Sequence, residues 1–149
     1  MFESTDALAE DIGRLLDTLR RLSEARYGCL LDRKGILFES GEGGTWALRA
    51  LFEAHAGEIF DIPPRLASGG PEKDVFEGWD DEFLLAFING RVVLALACPE
   101  AERARAEIEG SLPALADSLL RYRASYRLDE RGRGLFVGAP RLDVVVVGR

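Results

Sequence analysis

Between two apolar runs, Glu82–Ile88 and Arg91–Ala97, stands the dipeptide Asn89-Gly90. Asn-Gly is the strongest short hairpin signal, because a type I′ turn needs positive φ at both central positions. Side chains of a strand point alternately to opposite faces. Phe83, Leu85 and Phe87 therefore share one face, and Leu84, Ala86 and Ile88 the other. Val92, Leu94 and Leu96 oppose Val93, Ala95 and Ala97 in the same way. A strand pair that is apolar on both faces belongs at the centre of a sheet, covered by helices on each side. The chain is thereby confined to a layered α+β architecture.

The flanking segments supply the layers. Leu8, Ile12, Leu15, Leu16, Leu19 and Leu22 recur at helical spacing, with Glu10, Asp11, Arg14, Asp17 and Arg20 on the other side. Tyr27–Asp32 and Ile36–Glu39 then read as a hairpin around Arg33-Lys34-Gly35. Asp32 can bond its own backbone there, and Gly35 supplies the positive φ that such a turn needs. Val75–Trp79 is expected as a strand preceding the Asn-Gly hairpin, completing a three-strand meander. Pro99 opens a last helical region that runs to about Tyr126, divided near Gly110 and Pro113, with Leu112, Leu115, Leu119 and Tyr122 as its apolar stripe. The charged, glycine-rich stretch Asp129–Gly134 reads as loose. Leu142-Asp-Val-Val-Val-Val147 reads as an added strand. The expected organisation is one domain over residues 1–128 and a C-terminal tail with that strand over 129–149.

Thr45 to Phe60 is an unusual helix. Leu48, Leu51, Phe52, His55 and Ile59 form a stripe of large residues, while Ala47, Ala50, Ala54 and Gly57 form a second stripe of small ones. Trp46, Ala56 and Phe60 accompany Arg49 and Glu53 on a third. Arg49, Glu53 and Glu58 are its only charges, and a helix apolar nearly all round must be covered on more than one side. That pattern is a sequence-level argument for an interface. Pro63-Pro64 ends or kinks the helix.

Composition narrows the function. At 149 residues the chain is long enough for one full core, and 47% apolar content is too high for disorder. A net charge of −7 argues against nucleic acid or an anionic membrane as partner. No apolar run approaches the ~20 residues of a membrane span. Without a leader-like start, the expected compartment is the cytoplasm. Cys29 and Cys98 lie in apolar runs and read as small buried hydrophobes.

No catalytic grouping emerges. His55 is the lone histidine, so no two-histidine metal site can be built, and its stripe makes it a packing or interface residue. Ser40-Gly-Glu-Gly-Gly44 lacks the Gly-Lys-Ser/Thr ending of a phosphate loop. The acids from Glu77 to Glu82 lack calcium-loop spacing. Glu107 and Glu109, two apart on a helix, point different ways. Arg49 could in principle serve as an arginine finger, but a rim ion pair, for instance with Glu53 one turn on, explains it better. No cofactor or metal is expected.

The segment Ala25–Gly41 resembles the first hairpin of Roadblock-family proteins. It is particularly similar to bacterial MglB-like members, in which an Asp and a Gly sit at this turn. Glu82–Ala97 resembles the fourth and fifth strands of the same domain, and the element order over about residues 5–125 resembles the Roadblock/longin architecture. The resemblance implies a five-stranded antiparallel sheet with helices on both faces, an α/β/α sandwich, to which the C-terminal strand is an addition. It also implies a homodimer in which second helices pair antiparallel and third strands join two sheets. Ala47, Ala50, Ala54 and Gly57 would then form the helix seam, and Val75 and Phe76 the strand seam. The double proline and the valine-rich strand depart from the MglB-like pattern.

The function so implied is a non-catalytic homodimeric regulator that binds a Ras-like small GTPase and modulates its nucleotide cycle. Trp46, Arg49, Glu53 and Phe60 would receive that partner. The alternative is a dimeric scaffold that tethers a larger complex without acting on a GTPase. A ligand-binding sensory domain would need a pocket with convergent polar groups, which the apolar strands do not offer.

Overall fold

The computed structural model describes residues 5–69, 75–126 and 141–148. In chain order the elements are α1 (Thr5–Leu22), β1 (Tyr27–Asp32), β2 (Gly35–Gly41), α2 (Trp46–Phe60), α3 (Ile62–Ala67), β3 (Glu82–Ile88), β4 (Val92–Cys98), α4 (Ala101–Tyr126) and β5 (Leu142–Val147). The strands form one sheet in the order β2-β1-β4-β3-β5, with every neighbouring pair antiparallel.

Both hairpins form for the reasons their sequences give. Asn89 (φ 52°) and Gly90 (φ 65°) carry the positive torsions of the β3–β4 turn. The Asp32 carboxylate accepts the Lys34 N–H at 2.8 Å and the Gly35 N–H at 3.1 Å, closing the β1–β2 turn.

The alternation along β3 and β4 sorts the interior into two cores. Leu84, Ala86, Ile88, Leu94 and Leu96 pack with α1 and α4 through Ile12, Leu16, Ile108 and Leu112. Phe83, Leu85, Phe87, Val93 and Ala95 pack with α2 through Leu48, Phe52 and Ile59. The sheet thus lies between two helical layers.

Three expectations are corrected. Val75–Trp79 is a turn rather than a strand: Gly78 sits at φ 88°, and the Trp79 N–H reaches back to the Phe76 carbonyl at 3.3 Å. Burial decides the outcome, because Phe76 stacks on Phe83 with ring centroids 4.2 Å apart. The division of the last helix does not occur, since α4 runs unbroken through Pro113. Pro113 and Glu109, whose carbonyl it cannot bond, are both exposed, so water can satisfy that acceptor, while Leu112, Leu115, Ala116 and Leu119 bury the opposite face.

The third correction concerns only the count: the valine-rich segment forms the edge strand expected of it, as the fifth strand of the sheet and not a sixth. It pairs with β3 from Ile88↔Leu142 to Phe83↔Val147 and so supplies the fifth strand of the sheet, at the edge expected for Val75–Trp79. The stretch Asp129–Gly134, expected to be loose, lies outside the described residues.

Candidate interaction surface

Helix α2 buries Leu48, Phe52, Ala56, Ile59 and Phe60. Its stripe of small residues turns the other way: Ala50 and Ala54 are exposed, Ala47 and Gly57 half-buried. A Cβ placed on Gly57 would meet open space. At the first turn Trp46 is 77% exposed, the most exposed large apolar side chain among the described residues.

Trp46 stands beside a cleft of about 300 Å³, lined also by Tyr27, Glu39, Gly41, Thr45 and Arg49. The polar groups there are linked in a chain. Arg49 Nε donates to Glu39 Oε2 at 2.9 Å, and the Tyr27 hydroxyl donates to the same oxygen at 2.8 Å. Burial pushes the Tyr27 phenol well above its ordinary range, with the Cys29 thiol and the bond to Glu39 adding to the shift. Arg49 and Glu39 keep 60% and 42% of their side chains exposed, so this pair contributes at most about 1 kcal/mol.

The residues expected to receive a partner are therefore only partly brought together. Trp46 and Arg49 flank one cleft, but the rim partner of Arg49 is Glu39 across the layer, and not Glu53. Glu53 instead accepts the backbone N–H of Ile36 at 3.2 Å, occupying a donor of the edge strand β2. Phe60 is withdrawn from the surface: it is 5% exposed, packs on Phe87 at 5.8 Å and lies beneath the Arg33 guanidinium. The non-helical torsions of His55 (φ −116°, ψ 20°) break the regular phase of α2, and the last turn faces the sheet.

Val75 and Phe76, expected at the strand seam, are buried in the core of their own chain, at 8% and 2% exposure. His55 is half-buried, with Nδ1 2.9 Å from Glu58.

One ion pair escaped sequence reasoning. Arg26 meets Asp81 through two bonds, of 2.9 and 2.7 Å, tying the start of β1 to the start of β3. Its hydrogen bonds to the Asp81 carboxylate hold the Arg26 guanidinium above its ordinary pKa. The partners lie 55 residues apart, beyond any local pattern. Among the described residues, no group of three or more His, Cys, Asp or Glu could hold a metal ion, and no helix is long and apolar enough to cross a membrane.

A five-stranded antiparallel sheet between α1/α4 and α2 defines a Roadblock/longin-like fold. Among solved structures, Myxococcus xanthus MglB is similar to this chain with a TM-score of 0.52 and 20% sequence identity, over 73% of this chain and 91% of that one. No family model matches the sequence, and no curated protein matches it.

Proposed function

We propose that the protein is a non-catalytic homodimeric regulator whose outward α2 surface binds a Ras-like small GTPase and modulates its nucleotide cycle. The observation that carries this reading is Trp46, exposed at the first turn of a helix whose other side is locked into the core. Tryptophan and arginine side by side are the usual composition of an interface hot spot. The exposed Arg49–Glu39 pair is weak, so a partner carboxylate can replace Glu39 at little cost.

The stripe of Ala47, Ala50, Ala54 and Gly57 serves as the seam of the homodimer, because small side chains let two helices approach closely. Arg49 flanks the same cleft as Trp46 and acts on the GTPase by positioning. Titration of a GDP- or GTP-loaded GTPase from the same genome, by calorimetry, tests the proposal: Trp46→Ala should weaken binding by about 1 kcal/mol or more while light scattering still reports a dimer.

A further inference from the structure

The cleft beside Trp46 measures about 300 Å³, at the bottom of the roughly 300–1,000 Å³ range of small-molecule pockets. A space of that size suits one protruding side chain. The hydrogen-bonding groups of its lining decide what that side chain must bring. Glu39 is largely spent: its two oxygens take Arg49 Nε at 3.2 and 2.9 Å and the Tyr27 hydroxyl at 2.8 Å. The Thr45 hydroxyl proton goes to the Glu42 carbonyl at 2.8 Å. Among the described residues, neither Nη of Arg49 makes a hydrogen bond, and neither does the Trp46 indole N–H. Arginine and the indole nitrogen donate and cannot accept. What the cleft still offers is donor capacity beside a positive charge.

The way Arg49 is held sets the geometry of that offer. Glu39 grips the guanidinium by Nε and is itself anchored by Tyr27, a residue only 3% exposed. Nη1 and Nη2 are left as a fork, which matches the two oxygens of a carboxylate. Glu39 can yield to an incoming acid, because the exposed pair is weak, but it need not. A guanidinium tethered in this way suits a group on a partner's surface better than phosphates enclosed in a nucleotide site.

We infer that the cleft receives one Asp or Glu side chain of the partner, its carboxylate paired with the Nη fork of Arg49 and its stem against Trp46. The inference rests on the proposed function, in which that partner is a small GTPase, and adds which group of the GTPase is recognised. Trp46 supplies contact area, and Arg49 supplies the choice of partner through its charge.

A charge swap tests it, with a Ras-like GTPase from the same genome as the probe. Each exposed acid of the GTPase is changed in turn to Arg, and the variants that keep their nucleotide are titrated by calorimetry. One of them should bind the wild-type protein about fivefold or more weakly, and Arg49→Glu should restore its binding while weakening that of the unaltered GTPase. Added salt should weaken binding less steeply for Arg49→Ala than for the wild-type protein. If Arg49→Glu rescues no variant, or Arg49→Ala keeps the full salt dependence, the carboxylate is refuted, while weaker binding by Trp46→Ala leaves the α2 reading standing. If Trp46→Ala and Arg49→Glu both bind as the wild type does, or no such GTPase binds, the α2 reading fails and the inference fails with it.

Discussion

Arg105 of α4 donates from Nη2 to the backbone carbonyl of Val144 in β5 at 3.0 Å, so the long helix holds the last strand by a main-chain atom. Arg105→Met keeps much of the apolar stem and deletes the donor. A hydrogen bond from a charged group at a half-buried position contributes about 1 kcal/mol, so the unfolding free energy should fall by that much and the denaturation midpoint with it. Faster amide exchange at Val145 relative to Val93 of the central β4 would locate the loss in β5. An unchanged midpoint removes this bond from the account of how the edge is held.

Asn89 acts twice. It takes the positive φ of the turn, and its side-chain oxygen accepts the Arg141 N–H at 2.6 Å while its own N–H bonds the Arg141 carbonyl at 2.8 Å. Asn89→Gly should keep the turn, which glycine tolerates, and lose the side-chain anchor. The expected cost is about 1 kcal/mol, read by chemical denaturation, with nuclear magnetic resonance shifts concentrated at Arg141–Asp143. Shifts confined to the β3–β4 turn would contradict the second role.

Much of this architecture is legible in the sequence because its signals are local. Asn89-Gly90 and Asp32–Gly35 fix two turns, and the double-sided apolar pattern of β3 and β4 predicts helices on both faces, as found. Where the outcome depended on distant partners, local reading failed. Val75–Trp79 carries strand-forming residues, but Phe76 turns inward to stack on Phe83 and its segment stays a turn. The valines of β5 then complete the sheet. Of the residues expected to receive a partner, Trp46 is presented and Phe60 is not, because the torsions of His55 change the phase of α2. Glu39, the partner of Arg49, stands on another element, and no spacing rule within a helix could have named it.

Ala54 separates fold from assembly, because its side chain is exposed in the protomer. Ala54→Lys should leave the melting temperature of the isolated protomer unchanged. In a helix seam it would bury an unpaired charge, at several kcal/mol, and the dimer should dissociate at micromolar concentration. Light scattering that finds the wild-type protein monomeric, or the variant still dimeric, rejects the seam.

Alkaline pH should expose the buried thiols. Burial pushes the Cys98 thiol from 9.0 up to about 11, opposed in part by its hydrogen bond with Ser23, and burial also raises Cys29. The folded chain keeps these protons after the unfolded chain has released them. The associated stability is fully present below pH 9.0 and declines as pH rises towards about 11. Denaturation midpoints should be flat from neutral pH to the ordinary thiol value and fall beyond it. Cys98→Ala should flatten part of that fall, and an equal slope in the variant would assign it to other groups.

On the proposed function, the outward surface of α2 receives a Ras-like GTPase by positioning and not by chemistry. The most direct test is a titration of the GTP-loaded GTPase with wild-type protein and with Trp46→Ala, Arg49→Glu and Arg49→Ala, following both binding and nucleotide hydrolysis. Trp46→Ala and Arg49→Glu should each lose about 1 kcal/mol or more of affinity, and Arg49→Ala should lower affinity while the hydrolysis rate at saturation stays near that of wild type. A fall of ~10³-fold or more in the saturated rate with Arg49→Ala would identify an arginine finger. Undiminished binding by every variant would place the partner elsewhere on the fold, and either result rules out positioning by this surface of α2.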